Sequence, residues 1–199
     1  MIAGLRMEMT VLFAKRLQQI AAGSKVLICC LDPCFREALD DDFNIYSSHY
    51  RSVDAVILSD IKELMGALDK GYDIVHLLCP VAAGGLIEDS SGATLLGSDL
   101  ITMCCERDVK LLWIANDNKP DDYVRGFRAQ GKRLNLIMTI SRRGKKFANF
   151  LEELLSRISK GEKLPVAWVS LVPQAEGPWQ QDLPGCIFFA GRPDEKLPS

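Results

Sequence analysis

The stretch YDIVHLLCPVAAGG, Tyr72 to Gly85, decides how the chain is read. Ile74 to Leu78 is apolar at every position but one, too short for a helix and bounded by Asp73 and Pro80. Such a run reads as a strand buried on both faces, as the central strands of parallel sheets are. Three more runs share the pattern: KVLICCL (Lys25–Leu31), VKLLWIA (Val109–Ala115) and LNLIMTI (Leu134–Ile140). Further strands are expected in NIYSSHY (Asn44–Tyr50), DAVIL (Asp54–Leu58), PVAWVSLV (Pro165–Val172) and CIFFA (Cys186–Ala190).

Between the strands lie helical patterns. Met9, Leu12, Phe13, Leu17 and Ile20 share one face of an amphipathic segment from Met7 to Ala22. A short helix through Phe35 and Leu39 should give way to a solvated turn at Asp40–Asp42. Asp60 and Glu63 have capping-box spacing before Leu64 and Leu68, and Gly71 closes that helix. GLIEDSSGATLLG predicts a hairpin turning on Ser91-Gly92. Ser98 is expected to cap a helix through Cys105, and Pro120 to open another. Ser141 is expected to cap a long one with the stripe Phe147, Phe150, Leu151, Leu154, Leu155 and Ile158, ended by Gly161.

Alternation of strands and helices predicts α/β class: a three-layer α/β/α sandwich on a mostly parallel sheet. At 199 residues a single domain, 1–199, is expected, with a frayed tail from about 192. The formal net charge of -2 gives no basic field for nucleic acid, and no apolar run approaches the ~20 residues of a membrane span. The seven cysteines are odd in number and lie mostly in apolar runs, so they read as reduced thiols of a cytoplasmic protein. His49 and His76 have no metal-ligand spacing with them, and no phosphate-binding glycine pattern occurs. No cofactor is expected.

The order of strand, helix, YDIVHLLC, hairpin, helix, VKLLWIA and loop is similar to the caspase-like (clan CD) fold, and within it to the CHAT group of prokaryotic cysteine proteases. The likeness runs from about Ser59 to Val172. In that family one strand carries His, three residues, then His-Gly, the second His being the base. A later strand ends in Ala-Cys, the Cys being the nucleophile. The resemblance lays the first His on His76, the base on Pro80, the Gly on Val81, the Ala on Ala115 and the nucleophile on Asn116. Both dyad positions depart from the pattern, and Pro and Asn can supply neither base nor thiolate.

His76 lies four residues before Pro80, roughly 13 Å down an extended strand, and Cys79 points to the opposite face from Pro80. His76 therefore reads first as a core histidine. His76, Cys79, Asp117 and Asn118 are the candidate lining of a vestigial pocket. For the polar loop Asn116–Asp122, pocket lining and ordinary solvated turn both stay open. Arg142, Arg143, Lys145 and Lys146 form the densest basic patch, at a helix start where cations oppose the macrodipole. It reads as a solvated cluster or as a surface for an acidic partner. Trp113 and Trp168 read as core anchors, and the Trp179 loop as the most exposed of the three.

The resemblance implies a pseudoenzyme: a catalytically inactive homologue that binds a protease or other effector as a regulator or adaptor in bacterial defence or regulated proteolysis. Two alternatives stand beside it. One is a divergent cysteine hydrolase using Cys79 with His76 or His49. The other is a small-molecule or nucleotide sensor at the strand rim.

Overall fold

A computed structural model describes residues 20–82, 84–115, 134–139, 145–171 and 186–190. The expected helix over Met7–Gln19, the loop and helix over 116–131, the Ser141 cap, Arg142 and Arg143, the Trp179 loop and the tail lie outside them.

Six strands of the described residues form one sheet. They are β1 (Lys25–Cys30), β2 (Ser52–Ile57), β3 (Ile74–Leu78), β7 (Leu111–Ala115), β8 (Asn135–Thr139) and β9 (Cys186–Ala190), in the order β2-β1-β3-β7-β8-β9. The first five run parallel, and β9 pairs antiparallel with β8. A small antiparallel sheet, β4 (Val81–Ala82), β5 (Leu86–Glu88) and β6 (Thr94–Leu96), follows β3.

The central strands are apolar throughout because both faces are covered. Leu27, Cys29, Val75, Leu77, Cys79, Leu112 and Ile114 face one layer. That layer holds helix α2 (Ile61–Leu68), through Leu64 and Leu68, and α3 (Gly97–Glu106), through Leu100, Ile101 and Cys104. Val26, Ile28, Cys30, Ile74, Leu78, Leu111 and Trp113 face the other. There lie α1 (Arg36–His49), α4 (Lys145–Ser159) and α5 (Leu164–Leu171). The fold is thus an α/β sandwich with a mostly parallel sheet.

Local signals hold where their chemistry is specific. Asp60 accepts the Glu63 N–H at 2.8 Å, and the Glu63 carboxylate accepts the Ser59 N–H at 2.7 Å, one residue before the N-cap, a widened form of the capping box. Gly71, Gly92 and Gly161 take positive φ at the three turns they close. The long helix α4 buries Phe147, Leu151, Leu154, Leu155 and Ile158, with Phe150 partly covered.

Four expectations are corrected. Asn44–Tyr50 is no strand, and Asp40–Asp42 no turn: both lie in or cap the 14-residue α1, preceded by a single 3-10 turn at Pro33–Phe35. Leu39, Asp42, Tyr46 and Tyr50 are buried at helical spacing, so the acidic triplet interrupts nothing. The described part of the strand expected over Pro165–Val172, residues 165–171, is likewise no strand. Leu164–Leu171 is helical, with Pro165 in its first turn and Leu164, Ala167 and Trp168 buried at i, i+3 and i+4. Ser98 does not cap α3; the helix begins at Gly97 after Leu96, and the Ser98 carbonyl accepts the Thr102 hydroxyl at 2.9 Å.

Candidate functional site at the carboxyl edge of the sheet

In a doubly wound sheet, ligands meet the carboxyl ends of the strands where the order reverses. Here β2 lies on one side of β1 and β3 on the other, so the reversal falls between β1 and β3. Leu31-Asp32 leave one strand and Cys79-Pro80 the other. Leu78 is paired with Ala115 across β3 and β7, so Pro80 and the residue after Ala115 continue from neighbouring strand ends. Of the two positions that the resemblance assigns to a dyad, Pro80 follows the described end of β3. The residue types remain Pro and Asn. Asn116, Asp117 and Asn118 lie outside the described residues.

The edge is closed by the chain itself. The Ser90 N–H donates to the Leu31 carbonyl at 3.2 Å, and its hydroxyl to the Ser59 carbonyl at 3.2 Å. Glu88 N–H donates to the Pro80 carbonyl at 3.1 Å. One Asp89 oxygen accepts the Ile61 N–H at the start of α2. The other accepts the N–H groups of Ser91 and Ala93 and the Ser91 hydroxyl, the last at 2.6 Å. The Ser91 hydroxyl, with the Ile61, Ala93 and Ser91 N–H groups, holds the Asp89 carboxyl below the usual carboxylate range against an opposing push from burial. The hairpin turn is thus pinned to the chain leaving β1 and β2 and to the start of α2.

His76 is fully buried on the α1 face. It stacks on Trp113 with ring centroids 5.3 Å apart and meets the edge of Tyr46 at 5.6 Å. Its Nε2 lies 3.5 Å from Oδ2 of Asp42, itself fully buried. Asp42 is the residue that sequence reasoning missed. Its signal was present: Leu39, Asp42 and Tyr46 are three and four apart, a core stripe with a carboxylate in it. The pair has no nucleophile beside it among the described residues. It fastens α1 to the sheet.

Cys79 is buried in the opposite layer, so the sheet separates it from His76. Burial pushes the Cys79, Cys29 and Cys104 thiols far up, and Cys30 up as well. Cys34 is exposed beside β1's end, yet burial of its sulfur and the Asp32 carboxylate next to it raise its thiol too. None of these is a poised nucleophile. His49 ends α1 and pairs with Glu152 of α4 at 2.9 Å. It sits beside the start of β2, where Ser52 is level with Lys25, at the amino edge of the sheet. An open cleft of about 500 Å³ lies there, lined by Phe43, Ser47, His49, Arg51 and Val53 among others. The expected vestigial pocket is therefore not brought together by His76 and Cys79.

Lys145 and Lys146 open α4. No group of three or more His, Cys, Asp or Glu side chains able to hold a metal, and no helix long and apolar enough to cross a membrane, occurs among the described residues. Neither a scan against protein-family models nor a search of curated proteins finds a match to this chain.

Proposed function

We propose that the chain is a CHAT-related, caspase-like domain without its His/Cys dyad, working as a protein-binding regulator or adaptor of a protease or other effector in bacterial defence or regulated proteolysis. One observation carries this reading. The two strand exits that the resemblance assigns to base and nucleophile are neighbours in register, through Leu78 and Ala115, and carry Pro80 and Asn116. A fold arrangement suited to a dyad thus stands without groups able to move a proton or attack a carbonyl.

The surroundings add support. His76 is sealed from solvent, and the thiols of Cys29, Cys30, Cys34, Cys79 and Cys104 are all raised. The hairpin turn is bonded to the chain leaving β1 and β2, through Leu31 and Ser59. The test is purification of the chain from its native cell, with absolute quantification of whatever stays bound. A protein partner retained near equimolar amounts is expected. A chain that emerges alone, at the protein concentration of the cell, overturns the adaptor reading.

A further inference from the structure

Strand β2 is the outermost described strand of the main sheet on its side. It pairs with β1 on one side, and no described strand pairs with its other side. Its residues, Ser52-Val-Asp-Ala-Val-Ile57, are half-buried or exposed throughout. Natural edges are blunted by Pro, Lys, bulges or inward charges, because a bare edge recruits another strand. This one has neither Pro nor Lys. Its single charge, Asp54, accepts the Tyr72 hydroxyl at 2.7 Å over the sheet face.

We infer that β2 pairs antiparallel with β2 of a second copy of this chain, about a two-fold axis at Ala55. The inference is independent of the proposed function. A two-fold axis normal to the sheet keeps each face continuous, so residues opposite one another must share a face. Val53 and Ile57 pack on the α1 side, and Val56 on the α2 side. Three registers near the strand centre satisfy this. Centring on Asp54 opposes two carboxylates, which is unfavourable. Centring on Val56 leaves only Ala55–Ile57 paired within the strand. Centring on Ala55 pairs all of Val53–Ile57. Val53 then meets Ile57 twice on one face, Asp54 meets Val56 on the other, and the small, exposed Ala55 meets itself.

The experiment is sedimentation or light scattering of the full chain over a hundredfold concentration range, with Ala55→Lys and Ala55→Glu alone and mixed. A dimer is expected for the unmodified chain. Each variant should dissociate at least about tenfold more readily, since like charges meet at the axis. The mixture should recover the dimer. Concentration-dependent protection of alternate amides in Ser52–Ile57 from hydrogen exchange, in the unmodified chain, checks the same contact should either variant fail to fold. A monomer at every concentration overturns the inference and leaves the edge to a strand of another protein. Variants that stay dimeric, or a mixture that stays monomeric, also overturn it.

Discussion

Asp42 and His76 show how one pair of side chains can be structural where catalysis is expected. Both are fully buried, 3.5 Å apart, and walled by Tyr46 and Trp113. Removing one member of such a pair strands the other without its partner in an apolar layer. Asp42→Ala and His76→Ala should each lower unfolding stability by about 3 kcal/mol, and the double variant by clearly less than their sum. Chemical denaturation of the four proteins measures this; additive losses would show that the two side chains do not act together. Asp73 gives a pH-dependent case. Burial pulls its carboxyl up, but the Lys110 ammonium at 2.7 Å and the Lys25 N–H at 2.8 Å outweigh that and hold it below its ordinary value. A depressed folded pKa means that the unfolded chain binds the proton more readily. The stabilisation is therefore complete above the unfolded carboxylate value of about 3.9, and is lost as pH falls through the lower folded value. Asp73→Asn should remove that part of the acid limb; thermal melts from pH 6 to pH 2.5 would show it as a shallower decline.

At the level of elements, the β5–β6 hairpin is the piece that makes the carboxyl edge what it is. Asp89 holds its turn and ties it to α2, while Ser90 ties it to Leu31 after β1 and to Ser59, two residues past β2. Asp89→Asn keeps the size but loses the charge and one acceptor oxygen. Amides of Leu86–Leu96 should then exchange about tenfold faster or more, with the central strands unchanged; an unaltered hairpin would contradict the role given to Asp89. The elements differ in how legible they were. Strands β1, β3, β7 and β8 were readable because a sheet covered on both faces leaves an uninterrupted apolar run. Helix α4 was readable from its stripe, and α2 from its capping box. Helix α1 was not, because Asp40–Asp42 carry the composition of a turn, while the helical period lies in Leu39, Asp42 and Tyr46. Helix α5 was not, because VAWV is as apolar as a strand, and the period emerges only once Leu164 is counted. Of the dyad positions that the resemblance assigns, Pro80 follows β3 and Asn116 lies outside the described residues. The partner of His76 was not legible, since a buried carboxylate looks like a surface one until the helix around it is built.

For the molecule as a whole, layer and burial together keep a thiolate from an imidazole: Cys30 shares the His76 face, but burial raises its thiol. The sheet stands between His76 and Cys79. His49 lies at the amino edge, about five strand residues or roughly 17 Å from the carboxyl edge, where the exposed Cys34 sits. A hydrolase would need a thiolate and an imidazole within hydrogen-bond reach on one side of the sheet. The most direct measurement is therefore peptide-bond cleavage by the purified chain on a random peptide library, read as new amino termini by mass spectrometry. The account predicts no cleavage above that of the same protein with its thiols alkylated. Sequence-specific cleavage that disappears with Cys34→Ala, Cys79→Ala or His76→Ala would contradict it.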